Sequence, residues 1–186
     1  VSLYAATKRS NELMARVYAD LFALPLTGLR FFTVYGPMGR PDMAPWMFMQ
    51  AALAGQAIRV YGDGEQERDF TYIDDIVEGV LGALNTPPQH DQILSAGRAV
   101  GTGQLANRLY NLGNNTPVTV NTFIATMERV IGQPIARQPV ARQPGDVMRT
   151  CADITASQAD FGFAPRIDLE EGLSRFHRWF RDWKAR

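Results

Sequence analysis

The stretch Ser2-Leu3-Tyr4-Ala5-Ala6-Thr7-Lys8 decides how the rest of the chain is read. Tyr4 and Lys8 stand four residues apart, so a helix sets a phenol and an ammonium on one face, one turn from each other. A phenol ionises near pH ~10, and a neighbouring cation favours its anion. That is the arrangement a proton-transferring tyrosine needs. Over residues 4–23, Leu13, Met14, Val17, Tyr18, Leu21 and Phe22 recur at helical spacing, and Pro25 ends the pattern. Leu26 to Val34 then reads as a buried strand, with Tyr35-Gly36-Pro37 as the turn leaving it.

A Tyr-x-x-x-Lys spacing alone is common by chance. Here it is followed by Leu29-Arg30-Phe31-Phe32-Thr33-Val34-Tyr35-Gly36-Pro37 and then by Arg68-Asp69-Phe70-Thr71-Tyr72-Ile73-Asp74-Asp75. With these three stretches at these spacings the sequence resembles the NAD-dependent nucleotide-sugar epimerases and dehydratases, the extended short-chain dehydrogenase group. Within that group it is most similar to the UDP-glucuronate epimerases, and the resemblance runs the length of the chain. It implies an α/β fold: the C-terminal part of a Rossmann-type domain, closed by residues 1–40, followed over 41–186 mainly by the smaller substrate domain. Members of the group carry a Gly-rich strand–turn–helix for the NAD pyrophosphate well before the catalytic tyrosine. The chain therefore reads as the C-terminal part of a larger enzyme, one expected to be inactive alone and to work as a homodimer.

The resemblance also assigns residues. Tyr4 is the expected base for a sugar hydroxyl. Lys8 is its cationic partner and a contact of the nicotinamide ribose, and Phe31 brings its backbone near the nicotinamide amide. Thr33, where many relatives have Asn, is expected to hydrogen-bond a sugar carboxylate. Arg40 and Arg68 are the diphosphate candidates, since a guanidinium offers a planar fork of donors that keeps its charge. Tyr61 would flank the uracil ring, with Met43 and Ala44 lining the same pocket. Asp146 follows a glycine in a segment like the group's late Gly-Asp turn near the nucleotide. The implied reaction interconverts UDP-glucuronate and UDP-galacturonate by transient C4 oxidation with bound NAD. Another NAD-dependent nucleotide-sugar enzyme, a UDP-glucose 4-epimerase or a 4,6-dehydratase, stays open, as does a non-catalytic UDP-sugar-binding module.

Composition narrows the classes independently. The 186 residues are 46% hydrophobic and 20% charged, which suits a globular fold with a sizeable core. Formal net charge is zero, which argues against a nucleic-acid binder held by phosphate neutralisation. No apolar run approaches the ~18 residues of a membrane span. Cys151 is the one cysteine, so there is no disulfide framework, and a reducing, cytoplasmic setting fits. His90 and His177 lie far apart without nearby ligand partners, so no metal site is expected.

Further elements follow from pattern. Residues 45–55 read as a short helix, Ile58 to Tyr61 and Arg68 to Tyr72 as short strands, and Gly62-Asp63-Gly64 as a turn between them. Asp74 or Asp75 reads as the cap of a helix carrying Ile76, Val77, Val80, Leu81 and Leu84, with one of them a structural acceptor. Residues 89–106 are poorly patterned. Leu109 to Leu112 and Ile135 to Val140 suggest strands, Val120 to Ile131 a helix, and Pro144-Gly145-Asp146 a turn. Asp168 and Glu171 have capping-box spacing ahead of Leu169, Leu173, Phe176, Phe180 and Trp183. Gly101-Thr102-Gly103-Gln104-Leu105-Ala106 matches a loose GxGxxA, but neither a buried strand precedes it nor an acid stands ~20 residues on, so it is not read as a dinucleotide fingerprint.

Overall fold

A computed structural model describes residues 2–88, 107–142 and 145–185. His90, the GxGxxA stretch and Pro144 lie outside the described residues. The chain forms two compact units and passes between them several times. One comprises Val1–Arg30, Glu78–Leu112 and Ile154–Phe163; the other comprises Phe31–Val77, Gly113–Asp153 and Ala164–Arg186.

In the first unit, helix α1 spans Leu3–Phe22. It starts at Ser2, whose hydroxyl accepts the Ala5 N–H at 3.1 Å and so meets one of the donors that a helix start leaves unpaired. It ends at Ala23, which turns left-handed at φ 51° ahead of Pro25. Glu12 on α1 accepts a two-pronged bond from Arg30 at 2.7 and 2.8 Å, tying the helix to strand β1, Leu26–Phe31. Of α1, only Ala19 is buried.

The expected strand over Leu26 to Val34 is in fact two, broken at Phe32, and it is only partly buried. Strand β2 covers Thr33–Tyr35. The reason is a change of partner. β2 pairs in parallel with β5, Phe70–Tyr72, whereas β1 pairs with β6, Asn107–Leu112. At Gly28, β1 comes close to β6: a Cβ there would lie 2.8 Å from Leu109 Cδ1.

The second unit holds the main apolar core. Helix α2, Ala44–Leu53, leads to β3, Ile58–Tyr61, and then to the short β4, Glu67–Arg68. The run Arg68 to Tyr72 is likewise split in two, at Asp69. Its side chain is fully buried, and its carboxylate accepts N–H bonds from Asn114 at 2.7 Å, Asn115 at 3.1 Å and Ala152 at 2.7 Å. Helix α3, Ile73–Asn85, follows β5 directly. Asp74 and Asp75 therefore sit inside its first turn and neither caps it. Asp75 instead accepts the N–H groups of Arg166 and Ile167 at 3.0 and 3.1 Å, which is the structural acceptor role. Ile76 is buried, but Val77, Leu81 and Leu84 are exposed.

Strand β7, Val118–Thr119, runs antiparallel to β4, and helix α4, Val120–Ile131, occupies the expected span. Strand β8, Arg137–Val140, pairs in parallel with β3. A short helix α5, Thr155–Phe161, was not legible in the sequence. Helix α6, Leu169–Lys184, begins at Asp168, which accepts the Glu171 N–H at 2.8 Å as the spacing implied. Phe123 of α4 stacks on Phe70, and Leu173, Phe176 and Phe180 of α6 are fully buried beside Met49 and Trp46 of α2. Each such side chain contributes about 1.5–3 kcal/mol by leaving water. This core fixes the sheet edge on which the candidate pocket is built.

Candidate functional site

Tyr4 and Lys8 occupy one face of α1 in the first unit. The Lys8 Nζ lies 5.4 Å from the centre of the Tyr4 ring. Tyr4 is two-thirds exposed, so its hydroxyl is open to a reacting partner. Phe31, at the end of β1, is also exposed.

The second unit contains a cavity of about 200 Å³. Thr33, Met43, Ala44, Tyr61, Arg68 and Asp146 line it, which gathers most of the expected substrate residues. Each is held by its element. Thr33 donates its N–H to the Asp69 carbonyl at 3.0 Å and pairs with Phe70 across β2 and β5. Met43 stands at the N-cap of α2, and Pro45 opens that helix, where a missing N–H costs nothing. Tyr61 ends β3. Arg68 is bonded through its guanidinium to the Glu67 carbonyl at 2.8 Å and to the Asp146 carboxylate. The Asp146 carbonyl accepts from Arg142 at 2.5 Å.

Arg40 is placed differently. It is not among the residues lining the cavity. Its exposed guanidinium forks onto Asp42 at 3.1 and 2.6 Å, and that fork holds the Asp42 carboxyl below its ordinary range.

Sequence reasoning missed Arg59, Gln66, Phe48, Phe70 and Val120, which also line the cavity. One signal was available. Arg59 and Tyr61 are two apart on a strand and so share a face, and the Arg59 guanidinium lies over the Tyr61 ring at 5.7 Å. Val120 gave no local signal, because its place depends on β7 meeting β4. Among the described residues no three His, Cys, Asp or Glu side chains gather as a metal site. No helix there is long and apolar enough to cross a membrane.

Residues 1–97 match the NAD dependent epimerase/dehydratase family. The chain belongs to this family. Its relatives include a probable UDP-glucuronate 4-epimerase of Rhizobium meliloti, 43% identical over 97% of this chain and 53% of that protein. UDP-glucuronate 4-epimerase 2 of Arabidopsis thaliana is 46% identical over 96% of this chain and 41% of that protein. Among solved structures, the UDP-glucuronic acid 4-epimerase of Bacillus cereus, in complex with UDP-glucuronic acid and NAD, aligns with a TM-score of 0.83 at 30% identity. That alignment covers 97% of this chain and 52% of the other. The chain thus spans about half the length of the family members it matches, and it shares their mixed helix and strand fold.

Proposed function

We propose that this chain carries the catalytic Tyr–Lys pair and the nucleotide-sugar pocket of a UDP-glucuronate 4-epimerase. The observation that carries the reading is one cavity lined together by Thr33, Tyr61 and Arg68, three residues expected to meet the sugar carboxylate, the base and the diphosphate. The similarity to UDP-glucuronate 4-epimerases over nearly the whole chain supports the choice of substrate. Residues 1–40 belong with the cofactor-binding part of the enzyme, and 41–186 mainly with the substrate part.

The residues present fit NAD as the cofactor. An exposed phenol and ammonium one helical turn apart suit the vicinal hydroxyls of a ribose, and Phe31 stands exposed at the end of β1. NAD held there would supply hydride chemistry at C4 of the sugar, accepting a hydride and, as the NADH so formed, giving it back. This chain's part is the proton and the grip. Tyr4 takes the proton of the 4-hydroxyl as general base and returns it after the sugar has presented its other face. Lys8 steadies the tyrosine anion by its charge. Thr33 hydrogen-bonds the uronate carboxylate, Arg68 binds the diphosphate, and Tyr61 and Met43 flank the uracil; Arg40 supplies a second cation toward the phosphates only once its fork has left Asp42. A cytoplasmic homodimer completes the reading, supported by the free thiol of Cys151 and the exposed stripe of α1.

The test is calorimetric titration of the chain with UDP-glucuronate, UDP-glucose and UDP, and turnover assays with NAD added. Tighter binding of UDP-glucuronate than of UDP-glucose, lost on Thr33→Val, is expected. Equal binding of the two sugars overturns the uronate assignment. A second reading, a UDP-sugar-binding module without turnover, is favoured by one observation: every residue lining the cavity belongs to the second unit, whereas Tyr4 and Lys8 belong to the first. The isolated chain is accordingly expected to show little or no epimerase activity.

A further inference from the structure

Strand β3 buries Ile58 and Val60 and turns Arg59 and Tyr61 to its other side, the alternation a half-buried strand dictates. Its backbone is clamped along β8, where Arg59 pairs with Gln138 and Tyr61 with Val140. The Arg59 side chain is not clamped. It lines the cavity and is exposed, and its guanidinium lies over the Tyr61 ring at 5.7 Å. Among the described residues it has no carboxylate partner and no hydrogen-bond acceptor. A cation on an aromatic face is only weakly tethered at an open site. The whole fork of donors is therefore available to an incoming acceptor.

The charges of the cavity single this residue out. Its charged lining residues are Arg59, Arg68 and Asp146. Arg68 donates to the Asp146 carboxylate, so those two charges offset each other. Arg40 does not line the cavity and forks onto Asp42. The net positive charge of the lining is thus that of Arg59. It stands beside Met43, Pro45, Phe48 and Phe70, apolar surroundings that weaken a charge less than water does.

We propose that Arg59 grips the diphosphate of the nucleotide sugar, its guanidinium leaving the Tyr61 ring for a two-pronged contact with phosphate oxygens. The inference rests on the UDP-sugar reading of this cavity. UDP-glucuronate has two anionic parts: the diphosphate adjoins the nucleoside, and the carboxylate lies at the far end of the sugar. With the uracil flanked by Tyr61, a side chain two residues away on the same strand face meets the phosphates before it can meet the carboxylate. A planar fork of fixed charge matches paired phosphate oxygens. Arg59 then selects a nucleoside diphosphate over the uncharged nucleoside, at a position that no motif in the sequence pointed to.

The test titrates the full chain with UDP and with uridine, at low and at high salt. The wild type is expected to bind UDP at least about tenfold more tightly than uridine, and by a smaller margin at high salt. Arg59→Met keeps an unbranched stem against Tyr61. It should weaken UDP about tenfold or more, make the salt dependence shallower and move uridine by no more than about twofold. Arg59→Lys keeps the charge without the fork and should recover part of the loss; recovery of none overturns the inference. So does an Arg59→Met that binds UDP as the wild type does. One that loses UDP and uridine alike overturns it too, since Arg59 then only supports the Tyr61 ring. A wild type that binds neither ligand brings down the UDP-sugar reading itself, whereas one that binds UDP well and loses nothing in Arg59→Met brings down this inference alone.

Discussion

The Arg68 guanidinium donates to the carboxylate of Asp146, 78 residues further along the chain, and both side chains line one cavity. The pair keeps a buried-side cation oriented without neutralising its whole fork, since an Arg presents five donors. Arg68→Ala is expected to weaken UDP binding by about 10- to 100-fold, the scale of a charge-assisted bond to phosphate. Uridine, which has no phosphate, should lose almost nothing. Calorimetry with both ligands separates a phosphate contact from a collapsed pocket, because a collapsed pocket weakens both alike.

Gly172 faces Tyr35 so closely that a Cβ there would lie 2.1 Å from the tyrosine oxygen. Alanine normally stabilises a helix interior by roughly 1 kcal/mol over glycine. Here the overlap falls on a buried ring, and overpacking of that kind costs about 1–3 kcal/mol. Gly172→Ala should therefore lower the melting temperature. A variant that melts higher would show that α6 can shift away from β2.

Asp69→Ala leaves three backbone N–H groups without their acceptor, and at about 1 kcal/mol or more for each buried donor the loss is roughly 3 kcal/mol. Urea unfolding should register this as a lower midpoint at an unchanged slope. Asp69→Asn, which keeps one carbonyl oxygen, should recover part of the loss.

The Arg30 guanidinium, with Arg9 assisting, holds the Glu12 carboxyl down to about 2 from its ordinary 4.5. A carboxyl whose folded value lies below its unfolded one contributes stability that is present above pH ~4.5 and fades as pH falls toward 2. Solvent and salt screen this largely open pair, so the effect is small. Glu12→Gln should flatten the stability profile between those two pH values, with a small loss of stability near neutrality and none at pH 2 and below.

Leu13, Val17 and Leu21 are each more than half exposed on one face of α1. An apolar stripe of this kind favours association. Light scattering of the chain is expected to show mass rising with concentration, and Val17→Glu should suppress the rise. A monomer at high concentration would count against α1 as an association surface.

The elements with strong periodicity were legible in the sequence: α1, α4 and α6 lie within a residue or so of their expected spans, because their apolar faces repeat at 3.6 residues. The strands were less so. Thr33 and Phe70 pair across β2 and β5, and nothing local in either stretch signals that β1 and β2 part at Phe32 to take different partners. Met43, Thr33, Tyr61 and Arg68 were legible from their motifs and lie around one cavity. Gln66 and Val120 were not, since their roles come from contacts made only once β4 and β7 meet.

Asp69 draws its N–H partners from residues as far as 83 positions ahead of it. The ribosome makes the acceptor first and the Ala152 donor more than eighty residues later, so in a nascent chain this carboxylate stays in water and cannot be buried with all its donors throughout that interval. The pocket's side of the molecule can therefore close only near the end of synthesis, when β8 and the segment after it have emerged. A truncation or a translational pause before residue 152 would leave β4 and β5 without their lock, and exposed to proteases and to other nascent chains.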